Sequence, residues 1–167
     1  IKTKAVFIFI WLHRKSGRRC ISRDEQLAKL SFFTDHQFCM TYTAGQGWHS
    51  AHVEPYGSFS LDPAAAVLHY GQEIFEGLKA FRGKDGKVRL FRPRAHAERF
   101  ARSAETVCMP AVAADDFIEA VRAVVRVDDA WVPTAQGSSL YIRPTMIATE
   151  AFLGVRPSNE YLFYVIL

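Results

Sequence analysis

The amino-acid sequence predicts an α+β domain. Short strand-like segments and a β-hairpin come first, two helices follow, and two further strands end the sequence, which is the segregated order typical of this class. The 167 residues are 49% apolar and 23% charged, as in an ordinary globular protein. This length corresponds to one domain with a possible appendage, so we expect a single packed core.

Two strands and a hairpin are expected in the first half. Residues 37–43 and 51–56 have strand character and are separated by the turn-forming segment 44–47. Residues 78–82 and 88–91 flank the turn GKDG (83–86). We expect a tight hairpin there, with Asp85-Gly86 as a two-residue turn in which both residues adopt positive φ.

Two helices and two strands are expected in the second half. Pro93 suits the first turn of a helix that runs to about Val107, because its missing N–H has no partner to lose there. A second helix is predicted over 116–128, with Asp115 or Asp116 as its cap and apolar residues at helical spacing along one face. Strands follow at 140–149 and 161–167. The last is so apolar that burial on both faces is expected.

The net charge of +4 is unevenly distributed. Residues 1–29 carry eight Lys and Arg but only two acidic residues, whereas the rest carries thirteen basic and fifteen acidic residues. The domain itself therefore lacks the basic surface expected of a nucleic-acid binder. No apolar run approaches the roughly 20 residues that span a bilayer, so no membrane partner is expected.

The first 29 residues are interpreted as an atypical basic and apolar leader outside the fold. An apolar stretch (5–12) is followed by basic residues rather than by the small residues of a signal-peptide cleavage site. Residues 30–167 form the predicted domain, and the strand at their end suggests a fold cut within its last strand. The missing initiator Met also suggests a fragment. The three cysteines, Cys20, Cys39 and Cys108, favour a reduced cytoplasmic compartment.

The segment Ser139-Leu-Tyr-Ile-Arg-Pro144 contains the clearest candidate site. Strand alternation places Tyr141 and Arg143 on one face. An arginine in an apolar strand is costly unless an anion meets it, so Arg143 is either half of a structural ion pair or a docking point for an anionic substrate. Residue chemistry alone leaves these alternatives equally open.

Other candidates are weaker on residue chemistry alone. Tyr70 and Phe75 flank a loop-like stretch, but aromatic side chains more often belong to a core. Arg99 has small neighbours at i−4 and i+4, Ala95 and Ser103, yet a solvated helix arginine is the simpler interpretation. His49-x-x-His52 has metal-like spacing without a convincing third ligand, so no metal is expected.

Several strings of the sequence resemble the branched-chain amino acid aminotransferases. These are FTDH (33–36), GWH (47–49), the run LDPAAAVLHYGQEIFEGLKAFRG (61–83), RLFRP (89–93), AWVP (130–133), SLYIRP (139–144) and LGVRP (153–157). They occur in the family's order and spacing from about Phe33 to Leu167, and the long run is the most specific. The resemblance implies the small N-terminal domain of the fold-type IV fold, in an enzyme that uses pyridoxal 5'-phosphate.

The resemblance also implies roles for particular residues. Arg99 is similar to the arginine that binds the cofactor phosphate. Tyr70 and Phe75 resemble walls of the substrate pocket, and Tyr141 and Arg143 resemble the pair that receives the distal carboxylate of glutamate. Leu153 and Val155 resemble a loop that reaches the partner subunit's pocket in a homodimer. The implied substrates are leucine, isoleucine or valine with 2-oxoglutarate.

Two departures from the family pattern limit the expected activity. The family's catalytic lysine lies in the large second domain, beyond Leu167, so no catalytic residue is expected in this chain and the chain alone should be inactive. Lys29-Leu30 also stands where the family pattern has an aromatic residue and then a glycine. The alternatives are a D-amino acid aminotransferase or aminodeoxychorismate lyase of the same fold, and a non-catalytic remnant.

Overall fold

A computed structural model describes residues 33–167 of the chain and the backbone of Phe9 and Ile10. The strands are β1 (Phe9–Ile10), β2 (His36–Thr43), β3 (Gly47–Pro55), β4 (Glu73–Phe75), β5 (Leu78–Arg82), β6 (Val88–Leu90), β7 (Leu140–Ala148) and β8 (Glu160–Ile166). The helices are α1 (Ala66–Tyr70), α2 (Pro93–Thr106) and α3 (Ala114–Val127), with a 3-10 turn at Asp129–Trp131. The predicted α+β class is confirmed.

The strands form one sheet in the order β1-β3-β2-β8-β7-β5-β6, and β4 also pairs with β7. Every pairing is antiparallel except that of β1 with β3. Strand β7 therefore pairs with β8 along one edge and with both β4 and β5 along the other. The candidate residues of β4 and β7 are adjacent for this reason.

Helices α2 and α3 pack on one face of the sheet. The buried ring of Phe163 on β8 lies 5.6 Å from that of Phe100 on α2 and 5.9 Å from that of Phe117 on α3, between ring centroids. Phe38 on β2 completes the contact at 6.0 Å. Burying side chains of this size stabilises a fold by about 1.5–3 kcal/mol each. This aromatic cluster therefore fixes the two helices to the centre of the sheet.

The final strand differs from its prediction in one respect. β8 is central, between β2 and β7, as its apolar sequence indicates. However, Tyr161, Phe163 and Val165 are buried, whereas the alternate residues Leu162, Tyr164 and Ile166 are only half-buried. The helices cover one face only, so the prediction of burial on both faces is wrong for these residues.

The predicted cap of the second long helix and the predicted turn of the hairpin are also wrong in detail. Helix α3 begins at Ala114 with Ala113 as its N-cap, and no side chain caps it. Asp115 instead binds Arg94 at 2.6 Å. In the hairpin, Gly86 donates to the Gly83 carbonyl and has φ of +75°, whereas Asp85 is not among the residues with positive φ. The single left-handed residue is a glycine, which adopts that conformation without steric cost.

None of the helices that the structure describes is long and apolar enough to cross a membrane. Phe9 and Ile10 pair with β3 as the short strand β1 and so belong to the sheet. The other residues of 1–29 lie outside the described residues, and the expectation that they stand outside the fold remains a prediction. The same is true of Lys29-Leu30 and of Cys20. The described cysteines, Cys39 and Cys108, are both free thiols.

Candidate functional site

Tyr141, Arg143 and Phe75 form one cluster on the sheet face opposite the helices. The outward side of β7 carries Tyr141 and Arg143, as strand alternation predicts, while Leu140 and Ile142 are buried. Arg143 Nη2 donates to the Tyr141 hydroxyl at 2.7 Å. Its guanidinium carbon lies 4.2 Å from the centre of the Phe75 ring and 5.2 Å from that of Tyr141. The guanidinium is therefore held by a phenol and two aromatic faces.

The Arg143 guanidinium has no acidic partner in the part of the chain that the structure describes. None of the ion pairs formed there includes it. Its Nε is buried without a hydrogen-bond partner. A buried charged donor of this kind is costly to leave unpaired. The alternative of a structural ion pair therefore finds no support here, and the arginine remains available to an anion.

Phe75 is 58% exposed and Tyr70 is 46% exposed, so neither belongs to the core. Tyr70 ends α1, and its ring lies against His69 at 6.2 Å. Among the described residues, no hydrogen bond, ring pair or cation–π contact joins Tyr70 to Arg143. The structure thus brings together three of the four predicted pocket residues, and Tyr70 stands apart from that contact network.

Arg99 belongs to a second cluster, on the helix side of the sheet. Its Nε and Nη2 donate to the two carboxylate oxygens of Glu76, at 2.5 and 2.7 Å. His96 Nδ1 lies 3.0 Å from Glu76 Oε2 and donates the second side-chain bond to that oxygen. Glu76 is 5% exposed, whereas the Arg99 side chain is 59% exposed. The simpler interpretation of Arg99 as a merely solvated helix arginine is therefore wrong.

The electrostatics of this cluster keep the Glu76 carboxylate ionised. Burial raises the pKa of Glu76, but the hydrogen bonds from Arg99 and His96 outweigh it, and the pKa lies below its ordinary value of 4.5. The same hydrogen bond raises the pKa of Arg99. The pair is consequently fully charged near neutral pH.

The two clusters are connected through three consecutive residues, Phe75-Glu76-Gly77. Phe75 contacts Arg143, Glu76 binds Arg99, and a Cβ on Gly77 would collide with the hydroxyl of Tyr141. Alternate residues of an extended segment face opposite sides. Arg99 and Arg143 accordingly lie on opposite sides of this segment.

Glu76 was not predicted as a functional residue, although the sequence contains a signal for it. Ile74, Glu76 and Leu78 alternate along an extended segment, and Ile74 and Leu78 are buried. A glutamate in register with buried apolar residues requires a cation on the same side. That requirement predicts a cationic partner for Glu76, although the pattern alone does not say which residue provides it.

Leu153 and Val155 lie on the loop between β7 and β8 and are 67% and 95% exposed. Contacts between residues of the loop stabilise it. Glu150 accepts hydrogen bonds from Arg156 Nη2 at 2.7 Å and from the Asn159 amide at 2.7 Å. The Arg156 guanidinium also lies 3.9 Å from the centre of the Phe152 ring. Two apolar side chains are thus exposed on a loop that an ion pair, hydrogen bonds and a cation–π contact stabilise.

The two histidines with metal-like spacing have other partners. His49 contacts Thr43 and Ser50, and His52 contacts the Ser50 carbonyl and, at 3.4 Å, Glu54. In residues 33–167 no group of three or more His, Cys, Asp or Glu side chains is arranged to hold a metal ion.

Comparisons with known proteins identify the family. The branched-chain-amino-acid aminotransferase of Mycolicibacterium smegmatis is 54% identical over 136 residues, covering 81% of this chain and 37% of that protein. A crystal structure of a branched-chain amino acid aminotransferase complexed with 4-methylvaleric acid, from the organism abbreviated T.th., matches at a TM-score of 0.56 with 26% identity, covering 75% of this chain and 39% of that one. A second structure from the same source, complexed with N-(5'-phosphopyridoxyl)-L-glutamate, matches at 0.55 with 25% identity over the same shares.

No family model matches the chain. The chain spans little more than a third of the length of the curated relatives it matches. The matched structures have the fold-type IV architecture, and the shares covered correspond to its small N-terminal domain. In sequence and in fold, the chain therefore belongs with the branched-chain aminotransferases and corresponds to their N-terminal part.

Proposed function

We propose that Tyr70, Phe75, Tyr141 and Arg143 belong to the substrate-binding site of a branched-chain amino acid transaminase. Its substrates are leucine, isoleucine or valine with 2-oxoglutarate, and its products are the branched 2-oxo acid and glutamate. The observation that carries the proposal is the Arg143 guanidinium, which lies against the rings of Phe75 and Tyr141 with a buried, unpartnered Nε and no carboxylate among the described residues.

The proposed site suits two different side chains in one pocket. Exposed aromatic surface from Phe75 and Tyr70 excludes water from a branched aliphatic chain. Arg143 and Tyr141 receive the distal carboxylate when glutamate or 2-oxoglutarate is bound, and charge-assisted hydrogen bonds of this type are short and strong. Relatives of the chain are described with 4-methylvaleric acid and with a glutamate conjugate, which supports both uses.

We propose pyridoxal 5'-phosphate as the cofactor and Arg99 as a ligand of its phosphate. The donor set fits: Arg99 Nη1 has no hydrogen-bond partner among the described residues, and the half-exposed guanidinium is fixed on its other edge by Glu76. When bound, this cofactor supplies the electron sink for transfer of the amino group. The residues of this chain would bind and orient the cofactor and the substrate. The lysine that the family uses is expected in the second domain.

A homodimer in the cytoplasm is proposed as well. Leu153 and Val155 would complete the partner subunit's pocket, and their exposure on a loop that the Glu150–Arg156 ion pair stabilises supports this. Val155→Asp should then weaken dimerisation and raise the KM for leucine, measured by sedimentation and steady-state kinetics. Val107→Asp, at the end of α2, is the control for adding a charge. A dimer that is unaffected by Val155→Asp would contradict this role.

The test uses the chain continued by the C-terminal part of the Mycolicibacterium smegmatis relative, termed the completed enzyme below. It should transfer the amino group of leucine to 2-oxoglutarate. Preferential turnover of D-alanine would instead support a D-amino acid aminotransferase. A completed enzyme that binds the cofactor but turns over neither amino acid would support a non-catalytic remnant.

A further inference from the structure

The Glu76 carboxylate accepts more hydrogen bonds than any other buried charged group in the described part of the chain. Its position indicates a role beyond packing. Its Oε1 accepts from Arg99 Nε, and its Oε2 accepts from Arg99 Nη2, from His96 Nδ1 and, at 3.3 Å, from the Gly77 amide. Glu76 is almost fully buried, whereas its cationic partner is mostly exposed. The fixed member of the pair is therefore the glutamate.

The geometry determines which part of the arginine is left free. An arginine offers five N–H donors in a planar fork. Glu76 occupies the edge formed by Nε and Nη2, so both N–H groups of Nη1 and one of Nη2 remain for another anion. Arg99 Nη2 also lies 3.3 Å from His96 Nδ1, but both atoms donate toward Glu76, so this is not a hydrogen bond.

We propose that Glu76 is a positioning residue, which holds the Arg99 guanidinium in the orientation that receives the cofactor phosphate. This inference rests on the proposed function, in which Arg99 is the phosphate ligand. His96 and the Gly77 amide hold Glu76 in turn, so the support extends from α2 and from the segment between β4 and β5 to the exposed end of the arginine. Without Glu76, the arginine side chain would have to be ordered by the phosphate itself, which costs rotamer entropy.

Glu76 also has an opposing effect. A carboxylate beside the arginine reduces the positive potential that the phosphate meets. Because the arginine is mostly exposed, solvent screens that repulsion, as it does for other exposed charges. Removing Glu76 would therefore have two effects on binding of the phosphate: the arginine loses its fixed orientation, and the potential around it becomes more positive. We expect the first effect to be larger, so that binding becomes weaker.

The experiment compares pyridoxal phosphate with pyridoxal, which lacks the phosphate, in the completed enzyme. Dissociation constants are measured by cofactor absorbance and fluorescence after dialysis, without any activity assay. Glu76→Gln keeps the shape and one acceptor for Arg99 but removes the charge. It should weaken pyridoxal phosphate about three- to tenfold, which is less than the loss of a whole charge-assisted hydrogen bond because Glu76 acts only through Arg99, and leave pyridoxal within twofold. Glu119→Gln breaks the exposed pair with Arg126 and is the matched control.

A double-mutant cycle separates this inference from the proposed function. Arg99→Ala should weaken pyridoxal phosphate by more than Glu76→Gln does, and Glu76→Gln should add nothing in the Arg99→Ala background. If Arg99→Ala leaves the preference for the phosphate unchanged, the assignment of Arg99 fails. If only Arg99→Ala lowers it, the phosphate ligand stands and the role of Glu76 is overturned.

Two further outcomes also overturn the positioning role. Equal weakening of pyridoxal phosphate and pyridoxal by Glu76→Gln would show that the glutamate only stabilises the fold. Tighter binding of pyridoxal phosphate by Glu76→Gln would show that the negative charge of Glu76 opposes the phosphate more than its orienting of Arg99 helps. Glu76→Asp provides the rescue: the charge is kept but the reach is shorter, so binding should recover only in part. Circular dichroism and thermal unfolding confirm that each variant is folded.

Discussion

Gly77 lies directly against the hydroxyl of Tyr141, so closely that a side chain at position 77 would occupy the same space. The atom in the way is the far end of the tyrosine, which can move without disturbing the core. Gly77→Ala should therefore cost little stability but displace the hydroxyl that Arg143 binds. We expect a higher KM for glutamate in the completed enzyme, with the thermal unfolding temperature almost unchanged.

Gly57→Ala is the control for this substitution. A Cβ at position 57 would meet only the Pro55 carbonyl, at an ordinary 3.8 Å. Loss of glutamate affinity in both variants, or in neither, would remove the argument that Gly77 makes room for Tyr141.

Arg143→Ala should impair the half-reaction with glutamate far more than the one with leucine. Only glutamate places a carboxylate against the guanidinium, and a hydrogen bond to a charged group contributes roughly 1.5–3 kcal/mol, or about 10- to 100-fold. Single-turnover kinetics of each half-reaction measures the difference. Equal losses for both amino acids would mean that Arg143 has a structural role.

Glu150→Gln should loosen the loop that carries Leu153 and Val155. The hydrogen bond from Arg156 lowers the pKa of Glu150 to about 2, partial burial opposes this, and Asn159 lowers it further. Because the folded pKa is depressed, the stabilisation is complete above the ordinary value of 4.5 and is lost as the pH falls through about 2. The difference in unfolding temperature between Glu150→Gln and the unsubstituted enzyme should therefore be constant at neutral pH and shrink in acid.

Glu105→Gln is the comparison for Glu150, because Glu105 is exposed and is not part of an ion pair among the described residues. Amide hydrogen exchange over residues 150–159 should increase in Glu150→Gln only. A difference in stability that persists undiminished at about pH 2, the pKa of the folded state, would mean that the Glu150 charge does not hold the loop.

The 167-residue chain expressed alone should show no transaminase activity, because the lysine that the family uses is expected in the second domain. Lys79, Lys84 and Lys87 lie in the hairpin region around β5 and β6, and none is expected to replace it. The measurement is turnover of leucine with 2-oxoglutarate against a denatured control. Turnover above that control would refute the expectation.

The sequence predicts local patterns in this protein better than it predicts contacts between distant segments. Tyr141 and Arg143 share the outward face of β7 because alternation along a strand depends only on the backbone. The contact of Arg143 with Phe75 could not be derived in this way, since it depends on β4 joining β7 across a long connection. The Arg99–Glu76 pair likewise joins a helix to a strand segment 23 residues away.

The errors of prediction have different causes. An aspartate just before a helix can cap it, but α3 begins at Ala114, so Asp115 lies within its first turn and binds Arg94 of α2. The apolar sequence of β8 indicates a central strand, yet it does not say how many layers cover the sheet. The first error is a shift of the helix boundary by two residues, and the second depends on which elements of the chain cover the sheet.

The alternation of Phe75, Glu76 and Gly77 has a consequence for how such a protein can evolve. One face of the segment meets Arg143 and Tyr141, and the other meets Arg99. A shift of this backbone that enlarges the substrate side must also move the carboxylate behind it. Changes in substrate preference through these three positions should therefore arise together with compensating changes in α2, rather than one residue at a time.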